Sequence, residues 1–80
     1  LGLMILVKPG DLVRTIYDEV YEITSGNAQY ATGDYSQFVR DLNLGYCRWR
    51  KPREAQTIFE LVDGVQDSIG YTNHIKEIIS

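Results

Sequence analysis

The first residues of the chain form an apolar run that predicts a strand. Residues 3–7 are all apolar, and a run of this length fits a strand that is buried on both faces. The next four residues, Lys8 to Asp11, contain a proline followed by a glycine, which suits positions i+1 and i+2 of a type II turn. We therefore predict a strand that ends at a turn.

Residues 11–24 have a pattern that fits either two strands or one helix. At helical spacing their apolar residues form one stripe, with Asp11 as the N-cap and Gly26 near the C-terminus. Six of the fourteen residues are β-branched and none is alanine, which favours strands. The strand interpretation consists of residues 12–16, a turn at residues 17–19, and residues 20–24 with Tyr21 and Ile23 facing inward. We predict the strands and keep the helix as the alternative.

Residues 44–51 alternate in a way that predicts another strand. The two sides would be Cys47, Trp49 and Lys51 on one, and Tyr46, Arg48 and Arg50 on the other. A single tryptophan on the apolar side of a strand is usually the centre of a small core. We therefore assign Cys47 and Trp49 to the core.

The segments between these strands carry weaker signals. Ser25-Gly26-Asn27 predicts a turn, and the polar residues from there to Asp34 predict a loop. Residues 34–42 have a capping aspartate and apolar residues at i and i+4, which predicts a short helix.

The C-terminal third is predicted to hold one strand and one helix. Residues 56–62 are expected to form the hairpin partner of residues 44–51, with a short helix over residues 54–62 as the alternative. After Gly70, either Thr72 or Asn73 would cap a final helix, because three isoleucines follow at i, i+3 and i+4 within residues 75–79.

Several of these segments resemble small SH3-like barrels, including KOW-type domains. Residues 10–14, Gly-Asp-Leu-Val-Arg, are similar to the opening of many such domains, and Arg48-Trp49 is similar to a pair in their middle strand. The resemblance implies a mainly β fold, and no function follows from it, because this superfold hosts many unrelated roles. We predict a small SH3-like barrel or a twisted antiparallel sheet, with a short mid-chain helix and a C-terminal helix. The alternative is an α+β fold with a helix over residues 11–24.

The composition fits one small domain spanning residues 1–80. The chain is 44% hydrophobic, which is enough apolar material for a core. With one cysteine and one histidine it has neither an internal disulfide nor a structural zinc site. No apolar run approaches the roughly 20 residues of a membrane span, and we expect a cytoplasmic protein. If residues 1–3 are an expression remnant, Met4 is the native start and no signal peptide precedes it.

A short basic island stands out against the acidity of the chain. The net charge is −3, yet Arg48, Arg50, Lys51 and Arg53 supply half of the eight basic residues. Arginine makes paired hydrogen bonds to carboxylates and phosphates, and an exposed tyrosine such as Tyr46 suits a protein contact or base stacking. We predict a non-catalytic binding or adaptor domain that docks an acidic protein. Its predicted partner-binding residues are Tyr46, Arg48, Arg50 and Arg53.

Two other functions stay open beside this prediction. A nucleic-acid-binding small barrel would use the same arginines on phosphates, although the acidity of the chain argues against a general polyanion binder. A structural subunit would use exposed strand edges to form a homo-oligomer. The arginines also have a purely structural interpretation, in which they pair with Asp and Glu side chains of neighbouring strands.

Catalysis and cofactors are not expected. The one nucleophilic combination available, Cys47 with His74, would require the two side chains to meet in space. Cys47 is predicted to face the core, where a thiol behaves as a small hydrophobe, and His74 is predicted to lie at the surface. The carboxylates have neither an EF-hand nor a two-metal spacing, so we predict no metal site.

Overall fold

A computed structural model describes residues 4–31 and 45–80 of the chain. These residues contain six strands, one α-helix and two short 3₁₀ turns. The strands are β1 (Met4–Val7), β2 (Leu12–Thr15), β3 (Val20–Ala31), β4 (Tyr46–Arg50), β5 (Ser68–Tyr71) and β6 (Ile75–Ile78). The helix α1 spans Ile58–Asp63, and the 3₁₀ turns span Arg53–Ala55 and Thr72–His74.

The strands form an antiparallel sheet, so the prediction of a mainly β fold is confirmed. Five strands follow one another in the order β5-β4-β3-β2-β6, and β1 pairs with the C-terminal part of β3. Within the described residues β5 and β6 are the two ends of this order, so the sheet is open and does not close into a barrel. Of the two predicted forms, the twisted sheet fits.

The first two turns of the chain follow the prediction. The turn after β1 is closed by the Asp11 amide, which donates to the carbonyl of Lys8 at 3.1 Å. The chain between β2 and β3 reverses at residues 16–19, where the buried Thr15 hydroxyl accepts the amides of Tyr17 and Glu19 at 3.2 Å. The alternative helix over residues 11–24 is therefore wrong, because Thr15 forms the turn instead of continuing a helical stripe.

Strand β3 is longer than predicted, and the predicted turn at Ser25-Gly26-Asn27 is wrong. The pairing of β3 with β4 shifts register between Ile23 and Ser25, which indicates a β-bulge at this point. Gly26 then adopts a φ of 124°, and a Cβ atom there would lie 2.8 Å from the Cα of Cys47. Gly26 itself pairs with Cys47 beyond this bulge, so the glycine permits a close approach of the neighbouring backbone in a strand that continues.

The core lies on one face of the sheet and has Trp49 at its centre. Its buried apolar side chains are Val7, Val13, Ile23, Cys47, Trp49 and Ile75. The Tyr21 ring stacks on Trp49, with centroids 4.6 Å apart and an interplanar angle of 10°. On β5, Gly70 leaves room for the indole, since a Cβ atom there would lie only 2.1 Å from Trp49 Cδ2. The predicted core positions of Cys47, Trp49 and Ile23 are confirmed.

Two predictions for the C-terminal third are wrong. Residues 56–62 do not pair with β4; the partner of β4 is β5, and the alternative short helix is present instead as α1. The final helix is absent from residues 72–80, where a 3₁₀ turn leads into β6. Ile75 is fully buried opposite Thr15, and β6 supplies the backbone partners that the free edge of β2 needs. The predicted helix over residues 34–42 lies outside the described residues.

Replacing Gly70 with alanine should destabilise the protein, because the new methyl group would overlap the Trp49 ring. We expect Gly70→Ala to lower the free energy of unfolding by about 1–3 kcal/mol, the usual range for overpacking a core. Urea unfolding of the variant and the wild type measures this difference.

Two controls test whether the indole causes the loss. Ser68→Ala, at an exposed position of the same strand, should change stability by no more than about 0.5 kcal/mol. In a Trp49→Leu background, Gly70→Ala should lower the free energy of unfolding by less, because the two positions are coupled. An equal loss in both backgrounds would contradict this packing.

Candidate functional site

The outer face of β4 and β5 carries exposed side chains from both strands. Alternation directs Tyr46 and Arg48 away from the core, since Cys47 and Trp49 between and beside them are buried. Direct pairing places Tyr71 opposite Tyr46 and Ile69 opposite Arg48. We call these four residues the outer β4–β5 face: Tyr46, Arg48, Ile69 and Tyr71.

This face combines apolar surface with a cation that has no ion pair among the described residues. Tyr46 is 61% exposed and Ile69 is 56% exposed, so both side chains offer apolar area to solvent. Arg48 is exposed, and it forms no ion pair with any residue in the ranges 4–31 and 45–80. An arginine in this setting is free to make paired hydrogen bonds to a carboxylate or phosphate of another molecule.

The other predicted binding residues have different surroundings. Arg50 is half-buried, and its Nε donates to Glu22 Oε1 on the neighbouring strand at 3.0 Å. Lys51 lies 3.7 Å from Glu60. Arg53 begins the 3₁₀ turn after β4, where it is exposed and has no ion pair among the described residues. Tyr46 and Arg48 therefore share the outer face, whereas the charge of Arg50 is balanced internally and Arg53 lies beyond the far end of β4.

Aromatic side chains extend the outer face beyond β5. The His74 ring meets Tyr71 edge to face with centroids 5.8 Å apart, and it meets Tyr17 in the same way at 5.4 Å. Tyr17 is 63% exposed. This row could not be predicted from the sequence, because Tyr17 is distant in the chain from Tyr71 and His74. The two stretches meet where the Ile16 amide donates to the His74 carbonyl at 2.7 Å.

The helix α1 is the second unusual surface of the molecule. Its capping box is complete: the Thr57 hydroxyl accepts the Glu60 amide at 3.2 Å, and the Glu60 carboxylate accepts the Thr57 amide at 2.7 Å. These hydrogen bonds lower the pKa of Glu60. No side chain of α1 is buried, so the helix depends on its own capping and not on contact with the core.

Most of the α1 side chains are large and apolar. We call this group, with one residue of the following loop, the α1 surface; its exposed members are Ile58, Phe59, Leu61, Val62 and Val65. Ile58 is 81% exposed. A contiguous apolar patch of this kind usually marks a contact with another molecule. The capping signal of Thr57 and Glu60 was readable in the sequence, but the exposure of the helix was not.

A cleft separates α1 from the end of the sheet. Its volume is about 240 Å³. The Tyr21 ring and the basic residues Arg50 and Lys51 line one side, and Phe59 and Asp63 line the other. Its lining also includes the polar side chains of Gln56, Gln66 and Ser68. Its two cations already face Glu22 and Glu60. We regard it as the space between the α1 surface and the end of the sheet.

Cys47 lies on the opposite side of the sheet from the outer face. It is fully buried, and burial raises the pKa of its thiol to about 11. His74 has its ring between Tyr17 and Tyr71, and no hydrogen bond joins it to Cys47 in the described part of the chain. Within residues 4–31 and 45–80, no group of three His, Cys, Asp or Glu side chains is arranged to hold a metal ion.

Comparisons with known proteins leave the fold and the site to be interpreted on their own geometry. The chain matches no protein-family model, no curated protein and no solved structure. None of the helices in the described residues has the length and apolar character needed to cross a membrane.

The Cys47 thiol should react slowly while the protein is folded. Thiolate is the nucleophile in alkylation, and a buried thiol with a raised pKa is neutral near pH 8. We expect iodoacetamide to modify urea-unfolded protein far faster than native protein, as followed by mass spectrometry. Equal rates in the two states would contradict the burial of this side chain.

The Cys47 thiol should also affect the free energy of unfolding at high pH. The folded pKa of about 11 lies above the ordinary value of 9.0, so the thiol ionises first in the unfolded chain. Its contribution to stability is therefore complete below pH 9 and is lost as the pH rises towards 11. As the pH rises across this range, urea unfolding should show a smaller decrease in the free energy of unfolding for Cys47→Ala than for the wild type.

Proposed function

We propose that the protein is a small non-catalytic binding domain that docks an acidic protein partner on its outer β4–β5 face. The observation that carries this proposal is Arg48, an exposed arginine without an ion pair among the described residues. It stands directly opposite the exposed Ile69 on the neighbouring strand. A partner with a carboxylate beside an apolar side chain would satisfy both residues at once.

The composition of the face supports a protein partner more than a nucleic acid. Ile69 is apolar and cannot donate a hydrogen bond to a phosphate, and protein interfaces are enriched in tyrosine and arginine. Of the predicted cations, Arg48 and Arg53 have no ion pair in the described residues, while Arg50 is held by Glu22. Arg48 and Arg53 alone would contact few phosphates, and the net charge of the chain is −3. Docking of a short acidic peptide requires fewer charged contacts than binding of a nucleic acid.

Nucleic-acid binding remains the second candidate because of the aromatic row. Tyr46 and Tyr71 are exposed next to the Arg48–Ile69 pair, and the His74 ring connects Tyr71 to the exposed Tyr17. Exposed rings beside arginine are the usual platform for stacking single-stranded bases. This function would use the rings more than Ile69, and that difference separates the two candidates experimentally.

We also propose that the sheet is related to the SH3-like barrels. Two observations support this relation: residues 12–14 form part of a strand, β2, and Arg48-Trp49 lies in a middle strand, β4. The sheet order would then correspond to a barrel that has remained open between β5 and β6. This kinship supports a binding role only by analogy, because the same superfold hosts many functions.

An NMR titration tests the docking of an acidic partner. The probe is a short peptide of alternating glutamate and leucine, added to ¹⁵N-labelled protein. We expect chemical-shift changes centred on Arg48, Ile69 and Tyr71. Because a hydrogen bond to a charged group contributes about 1.5–3 kcal/mol, Arg48→Gln should weaken binding about tenfold or more.

Lys8→Gln is the matched control, since it removes the same charge from an exposed turn that holds an ion pair with Asp11. Equal weakening by both variants would mean that only overall charge matters. A parallel titration with single-stranded DNA tests the second candidate. If the oligonucleotide binds more tightly than the peptide and Tyr46→Ala abolishes that binding, the nucleic-acid function replaces the proposed one.

A further inference from the structure

We infer that the partner of the outer β4–β5 face includes a second copy of this chain, which docks through its α1 surface. The inference rests on the proposed function of that face. It identifies one ligand of the face as an acidic segment with apolar side chains from another copy. The contact would be head to tail, because the α1 surface of one copy meets a different surface on the next copy.

The first argument is the state of α1 in a single copy. Phe59 is 75% exposed and Val62 is 78% exposed, although both belong to a complete helical turn held by its own capping box. Six-residue helices are marginal in water without such support. The chain therefore builds a helix locally and leaves its apolar side chains unburied, an arrangement that is useful when another molecule covers them.

The second argument is charge complementarity. Residues 54–67, which contain α1, carry four acidic side chains and no basic one. Residues 46–50 and 68–71, which contain the outer β4–β5 face, carry two arginines and no acidic side chain. Because Arg50 is paired with Glu22, Arg48 is the arginine that would meet the ligand. The ligand class expected for that face is an acidic segment with apolar side chains, and residues 54–67 have this composition.

The same charges argue against a symmetric contact between two α1 surfaces. Such a dimer would bring Asp63 and Glu54 of one copy close to the same acidic residues of the other, which is unfavourable once water is removed. Docking on Arg48 instead places Asp63, which has no ion pair in the described residues, near an unpaired cation. Charge therefore selects the head-to-tail arrangement.

A head-to-tail contact has a consequence for assembly. Each copy has one α1 surface and one outer face, so every added copy leaves one of each surface free until the chain of copies closes. The protein would form a ring or an open array, and a dimer would be only its first step.

Two variants and their mixture test the inference. Phe59→Ser damages the α1 surface and leaves the outer face intact, whereas Arg48→Glu damages the outer face and leaves α1 intact. Both positions are exposed, so both proteins should fold. Light scattering after size exclusion, from micromolar to millimolar protein, should give concentration-dependent masses above the 9.2 kDa chain for the wild type. Each variant alone should associate at least about tenfold more weakly.

The equimolar mixture separates the two geometries. In a head-to-tail contact, the intact α1 of Arg48→Glu fits the intact face of Phe59→Ser, so the mixture should form dimers and stop there. If Arg48→Glu alone dimerises like the wild type, the contact joins two α1 surfaces and the inference is overturned. A second pair checks the helix itself: Thr57→Ala should weaken association because it removes the cap, and Thr57→Ser should not.

Failure of this inference can be told apart from failure of the proposed function. A wild type that stays monomeric at millimolar concentration but binds the glutamate–leucine peptide overturns self-association and leaves the proposed function intact. Phe59→Ser should bind that peptide as well as the monomeric wild type does, because its outer face is unchanged. One combination of results would overturn both the inference and the proposed function. In it the wild type associates without binding the peptide, and Arg48→Glu still associates.

Discussion

The packing of Trp49 between Tyr21 and Gly70 fixes the relation between three strands. The indole comes from β4, the stacked ring from β3, and the glycine that makes room for it from β5. Because successive side chains of a strand point to opposite faces, an inward Trp49 requires an outward Arg48. A slip of one residue would exchange the two, moving a cation into the core and the indole into water. The binding face is thus a geometric result of core packing.

The strands with strong alternation can be predicted from the sequence, and so can two of the four residues of the outer β4–β5 face. Tyr46 and Arg48 follow from the alternation of β4, and the chain reversal before β3 follows from β-branched residues that disfavour a helix. Ile69 and Tyr71 could not be predicted, because they join the face only through the register between β4 and β5. That register depends on the fit of Trp49 over Gly70, which is a contact between distant parts of the chain.

The errors share a physical cause, since each local signal was compatible with two structures. Glycine at position 26 suits either a turn or a strand position that another backbone approaches closely, and pairing with Cys47 favours the strand. The isoleucines of residues 75–79 suit a helix by spacing, but the unpaired edge of β2 provides backbone partners that favour a strand. The spacing of Thr57 and Glu60 suits a capping box and would have favoured the helical alternative. No local pattern could indicate that the small sheet would leave that helix uncovered.

The independence of α1 from the core has a consequence for how such a protein changes over evolutionary time. Substitutions in a core are constrained by volume, but α1 contributes no buried side chain, so its sequence can vary with little penalty to folding. The segment between β4 and β5 is therefore a place where the lineage can gain, exchange or lose an interaction while the scaffold is inherited unchanged. Relatives of this chain should share the pattern around Trp49 and Gly70 and differ most in residues 53–67.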